Sequence, residues 1–119
     1  MKQKDSVKRS IVVIGCGPAG LAAAVAAREA GIQDVLLLER DRFAGGILNQ
    51  CIHDGFGLHI FKEALTGPEY AARFIEQVEK LQIEMRLETI VTSLSPDLTI
   101  ETSRRGRLET IRADAIILA

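Results

Sequence analysis

Apolar residues fall along this chain in two kinds of pattern. Three unbroken runs stand out: Ile11-Val12-Val13-Ile14, Val35-Leu36-Leu37-Leu38 and Ala115-Ile116-Ile117-Leu118-Ala119. Short runs of this type, rich in branched side chains, predict buried strands. Between the first two, Leu21, Ala22, Ala24, Val25 and Ala27 recur at helical spacing, and Gly31 is placed to cap that helix. Ala71, Phe74, Ile75 and Val78 mark one face of a second helix. It starts at Thr66-Gly67-Pro68-Glu69, with Pro68 at the first helical position, and ends near Lys80. Leu81, Ile83, Met85 and Leu87 alternate with polar residues, which predicts a strand. Short β segments follow at 89–94, 98–102 and 107–111, separated by the turns Ser95-Pro96-Asp97 and Ser103-Arg104-Arg105-Gly106.

The first strand runs directly into Gly15-Cys16-Gly17-Pro18-Ala19-Gly20, a G-x-G-x-x-G pattern. Each glycine has a physical task. Gly15 permits the tight turn, Gly17 lets a pyrophosphate approach the backbone, and Gly20 lets the helix pack close to the strand. The helix N-terminus offers unpaired N–H groups and a partial positive charge. The second strand ends at an acid, Glu39, able to accept hydrogen bonds from a ribose diol. A glycine motif alone is weak evidence. Strand, glycine turn, helix, second strand and terminal acid in this order predict dinucleotide binding. The main rival is a secretory signal, because Lys8-Arg9 precedes a largely apolar stretch. Three glycines and Pro18 within that stretch argue against it.

Composition narrows the remaining classes. The chain has 119 residues, suited to one small domain, and 47% of them are hydrophobic, enough for a core. A net charge of −1 gives no general attraction to nucleic acid or an anionic membrane. No Trp and one Tyr leave no aromatic platform for bases. Cys16 and Cys51 make no disulfide framework and no metal-ligand spacing, so the default setting is reducing and cytoplasmic, with no metal and no membrane span. Residues 1–9 are polar and Lys-rich and read as a disordered leader ahead of a domain at 10–119. Arg104, Arg105 and Arg107 cluster at a hairpin tip and read as a solvated tip rather than a phosphate site. The stretch from Arg40 to Gly57 has poor periodicity and four glycines, which marks a functional loop, with Gly45-Gly46 free to approach a ligand. The final apolar strand stops at the last residue, as expected of a fragment.

Taken together, the glycine motif, Glu39, Gly45-Gly46 and the β segments leading into Ala115-Ile116-Ile117-Leu118-Ala119 resemble the N-terminal part of the FAD-dependent pyridine nucleotide-disulfide oxidoreductases. Gly45-Gly46-Ile47-Leu48-Asn49-Gln50-Cys51-Ile52-His53-Asp54-Gly55-Phe56-Gly57 and Thr66-Gly67-Pro68-Glu69-Tyr70 are similar to the branch of NAD(P)/FAD-dependent oxidoreductases found beside glycerol-3-phosphate dehydrogenases. The resemblance implies an α/β, Rossmann-type FAD-binding fold, a parallel sheet with a β-meander insertion, incomplete in this chain. It implies FAD held by Gly15, Gly17, Pro18, Ala19 and Gly20 at the pyrophosphate, and by Glu39 at the adenosine ribose with Arg40 beside it. Gly46 and Ile47 would lie along the cofactor, and Val91 would meet the adenine.

The sequence also departs from the family. The positions of its redox cysteine pair are Leu48 and His53, so disulfide reduction by a protein dithiol is not expected. Cys51 and His53 are the remaining catalytic candidates. Against them stand a cysteine packed as a small hydrophobe and an ordinary loop histidine. No second glycine motif is present to receive a nicotinamide, so NAD(P)H is expected only for the full-length parent. That parent is expected to pass electrons between nicotinamide and an acceptor, with a dehydrogenase subunit as a further partner. The competing class is a non-catalytic nucleotide-binding fragment or small subunit, prone to self-association.

Overall fold

The computed structural model describes residues 6–119. Ile11-Val12-Val13-Ile14 form the inner half of β1 (Ser6–Ile14), and Val35-Leu36-Leu37-Leu38 form all of β2 (Val35–Leu38). Between them lies helix α1 (Pro18–Glu29). Helix α2 (Gly67–Lys80) and strand β3 (Glu84–Arg86) follow, then β4 (Ile90–Leu94), β5 (Thr99–Arg104) and β6 (Arg107–Leu118). One six-stranded sheet has the order β3-β2-β1-β6-β5-β4. It is parallel from β3 through β6, whereas β4, β5 and β6 form an antiparallel meander.

The hydrophobic pattern explains the two layers. Alternate side chains of a strand point to opposite faces, so an unbroken apolar run can serve two cores. Val13, Val35 and Leu37 pack against Leu21, Ala24 and Val25 of α1 and Phe74 and Val78 of α2. Val12, Leu36 and Leu38 pack on the other side with Ile100, Ile111 and Ala113 of the meander. Burying a Leu or Ile side chain contributes about 1.5–3 kcal/mol, so losing either layer would unfold the domain.

Thr66 caps α2 through a reciprocal capping box with Glu69. Its amphipathic face carries Phe74 and Tyr70, which stack edge-on at 5.3 Å and hold Phe61 of the preceding loop at 5.5 and 5.7 Å. The Arg28 guanidinium ties the helix ends together by donating to the carbonyls of Ile32, Gln33 and Leu81.

Several expectations need correction. Residues 6–9, expected in the leader, are strand; residues 1–5 lie outside the described residues. β1 gains this extension by pairing with β6 from Ser6↔Thr110 to Arg9↔Ala113. Arg9 secures it, donating to Asp34 at 2.6 Å and Glu84 at 2.9 Å. The segments 107–111 and 115–119 are not separate strands. β6 runs unbroken through Arg112-Ala113-Asp114 because one part pairs with β5 and an overlapping part with β1. The strand expected over 81–87 shrinks to β3, since Leu81 is the C-cap of α2 and Gln82 turns at φ 56°. Ala30, not Gly31, is the C-cap of α1; Gly31 follows it at φ 106°. Gly67, not Pro68, opens α2.

Candidate functional site: a groove at the C-terminal ends of β1 and β2

Parallel strands deliver their C-terminal ends to one edge, where loops can form a ligand crevice. Here that edge carries a groove of about 470 Å³. It collects Gly15 and Gly17 from the turn after β1, and Glu39, Arg40 and Asp41 from the end of β2. Gly46 and the Thr89-Ile90-Val91 segment complete the walls. Six of the ten sequence-predicted cofactor residues therefore line one space: Gly15, Gly17, Glu39, Arg40, Gly46 and Val91.

Glu39 is buried, at 8% exposure. Its Oε1 accepts from the Cys16 backbone N–H at 2.8 Å, and its Oε2 accepts from the Asp41 N–H at 2.9 Å. Its backbone is clamped as well: Glu39 N–H donates to the Arg86 carbonyl, and the Glu39 carbonyl accepts from Thr89 N–H, both at 2.9 Å. A carboxylate oxygen accepts more than one hydrogen bond, so each oxygen keeps capacity for a hydroxyl. Burial raises the Cys16 thiol, and the Glu39 charge raises it further, to about 12.

The glycines divide by task. A Cβ at Gly20 would strike the Gly15 carbonyl, so Gly20 lets α1 seat against the turn. Gly15 sits at φ 107° with the Ala119 carbonyl 2.7 Å from where its Cβ would be. Gly17 is different: its nearest neighbour from such a Cβ is Gly46 Cα at 4.0 Å, so the added atom points into open space. Gly17 is also the N-cap of α1, which has no side-chain cap and no acid in its first turn. The positive end of α1 is left for an anion.

The other predicted residues lie elsewhere. Ala19 is exposed on α1 and Gly20 is buried beneath the turn. Pro18 faces a neighbouring apolar groove with Leu48, Phe56 and Tyr70. Ile47 is 62% exposed on the 3₁₀ turn Gly46–Gln50. Cys51 donates its thiol to the Ile47 carbonyl at 3.4 Å, and His53 is exposed with its ring 5.1 Å from Phe56. Neither lines the main groove. Sequence reasoning missed the Cys16 N–H and Thr89. Main-chain donors have no signature of their own, and Thr89 reads as an ordinary strand start. It also missed Gly67, where a Cβ would strike the Leu48 carbonyl and lie 2.8 Å from Cys51 Cβ.

Residues 9–119 match the model of the family described as pyridine nucleotide-disulphide oxidoreductase. The chain belongs to that family. It is 31% identical over 109 residues to the thioredoxin reductase of Mycolicibacterium smegmatis, covering 92% of this chain and 33% of the relative. Among solved structures, the Lactococcus lactis thioredoxin reductase superposes with a TM-score of 0.71 at 26% identity, covering 92% of this chain and 34% of that one. The L-proline dehydrogenase of P. horikoshii gives 0.79 at 20% identity, covering 100% and 24%. The chain spans a third or less of the length of the curated relatives it matches. No helix among the described residues is long and apolar enough to cross a membrane.

Proposed function

We propose that the groove holds FAD and that this chain is the FAD-binding portion of a flavin-dependent NAD(P)H oxidoreductase. The observation that carries this reading is the pairing of an open Gly17 with a braced acid, Glu39, on one groove. The turn from Gly15 through Gly20 and the uncapped N-terminus of α1 take the pyrophosphate, with Pro18 and Ala19 in the first turn. Glu39 takes the adenosine ribose, with Arg40 beside it. Gly46 lies along the cofactor, with Ile47 beside it on the exposed turn outside the groove, and the Val91 backbone lies at the adenine. FAD, when bound, supplies the redox chemistry that side chains lack.

The thiols do not make a dithiol site. Leu48 and His53 stand where the resemblance places redox cysteines, and Cys51 is a single thiol bonded to its own loop. The acceptor is therefore a partner subunit or small molecule rather than a disulfide reduced through this domain. A reducing, cytoplasmic setting suits both cysteines, which are free.

The test uses the full-length protein. It purifies with flavin that is released on denaturation and oxidises NADH or NADPH. A folded Gly17→Val variant that retains flavin as wild type does would overturn the assignment. Flavin binding without any nicotinamide oxidation would favour a non-catalytic nucleotide-binding module.

A further inference from the structure

The arginine-rich hairpin has no role in the groove, yet its geometry is unusual. β5 and β6 join through Arg105 at φ 52° and Gly106 at φ 81°, a two-residue turn with both central residues left-handed. This turn places Arg104 and Arg107 directly opposite each other, on the meander face that also carries the pairs Thr102↔Glu109 and Ile100↔Ile111. Like charges facing each other across a strand pair are destabilising. Arg105 is paired with Glu88 at 2.7 Å. Arg104 and Arg107 make no ion pair among the described residues.

Both line a cavity of about 230 Å³ with Arg86, Glu109, Thr89 and Thr102. Arg86 is neutralised locally by Glu84 and Glu109. With Arg86 held by these two carboxylates, Arg104 and Arg107 are the cations of the lining left without an ion-pair partner among the described residues. The threonines are buried, at 4% and 2% exposure, and close the inner wall. Two arginines opposite each other in register and lining one cavity suit a tetrahedral oxyanion, which accepts from several N–H donors at once.

We propose that Arg104 and Arg107 hold a phosphate group in this cavity, as the free ion or as a phosphomonoester. The bound dianion offsets the repulsion between the two side chains and bridges the mouth of the hairpin. The site is separate from the FAD groove, although Thr89 lies in the wall of both.

The experiment is calorimetric titration of the full-length protein with inorganic phosphate, and separately with phenyl phosphate, against chloride at matched ionic strength. One saturable site is expected. The Arg104→Gln/Arg107→Gln double variant loses two charge-assisted donors and should bind about tenfold more weakly or worse. Arg105→Gln should bind as wild type does. Phosphate should raise the Tm of wild type but not of the double variant, and the single variants should fall between. Tighter binding of phenyl phosphate identifies an ester as the occupant; tighter binding of inorganic phosphate identifies the free ion. Absence of binding beyond chloride, or equal binding by wild type and double variant, would overturn the proposal.

Discussion

The backbone N–H of Cys16 donates to Glu39 Oε1 across 2.8 Å, so the acid ending β2 braces the glycine turn that follows β1. The residue read as a ribose ligand also holds the loop assigned to the pyrophosphate. Its removal should act twice. Glu39→Ala leaves the buried Cys16 N–H without its partner, a cost of about 1–3 kcal/mol. Charge-assisted bonds to the ribose are each worth roughly 1.5–3 kcal/mol, so FAD affinity should fall about tenfold or more. Glu39→Gln keeps one acceptor oxygen and should lose less of both. Denaturant unfolding and flavin titration read the two effects separately. An unchanged flavin dissociation constant in Glu39→Ala would remove the ribose role.

Gly17 and Gly20 should fail in different ways. Gly17 has φ −76° and ψ −170°, backbone that any residue adopts, and its missing Cβ faces open space. Gly17→Val should fold normally and exclude FAD. Gly20→Ala drives a methyl into the Gly15 carbonyl and should cost about 1–3 kcal/mol of stability or more. Thermal unfolding beside flavin content separates them; equal loss of stability in both variants would contradict the division.

The two thiols should differ sharply toward an alkylating reagent. Cys16 is fully buried and its thiol is pushed up to about 12, whereas Cys51 is half-buried in the loop. Mass spectrometry after brief alkylation of the native protein at pH 8 should find Cys51 modified first. Because burial and Glu39 disfavour the Cys16 thiolate, this group costs the fold nothing below its ordinary value of 9.0, and stability falls as pH rises from there toward 12. Cys51→Ser should leave turnover intact, and its abolition would imply a redox partner for that thiol.

Acid should weaken the seam between β1, β2 and β3. Burial raises the Asp34 and Glu84 carboxyls. Hydrogen bonds outweigh it, from Arg9 and Ser10 N–H for Asp34 and from Arg86 and Arg9 for Glu84, leaving both below their ordinary values of 3.8 and 4.5. Depressed carboxyls stabilise the fold above those values and lose that contribution as pH falls through and below them. Arg9 is 13% exposed, but its partners are 39% and 45% exposed, so solvent screening limits Arg9→Met to about 1 kcal/mol at neutral pH. Unfolding curves from pH 6 to 3 should show the difference between wild type and variant narrowing. A constant difference would mean that Arg9 acts through packing alone.

Much of the site was legible because its signals are local. A strand–glycine–helix turn needs residues adjacent in sequence, and an acid at a strand end is visible as one letter. The unbroken runs in β1 and β2 likewise announced strands buried on both faces, and Thr66 with Glu69 announced the start of α2. Other features depended on pairing at a distance. Residues 107–111 and 115–119 look separate around Arg112-Ala113-Asp114, yet β6 is continuous because β5 and β1 each satisfy part of its backbone. Ser6-Val7-Lys8-Arg9 carries no apolar run, and becomes strand only because β6 supplies the ladder and Asp34 and Glu84 hold Arg9. Gly67 is indispensable only once Leu48 and Cys51 arrive beneath it. The sequence by itself determined the elements and the groove's main residues, since these rest on periodicity and local backbone geometry. Only the tertiary structure decided strand extent, the brace between Cys16 and Glu39, and the confrontation of Arg104 with Arg107, since each requires groups far apart in the chain, or a turn geometry, to bring partners within a few ångströms.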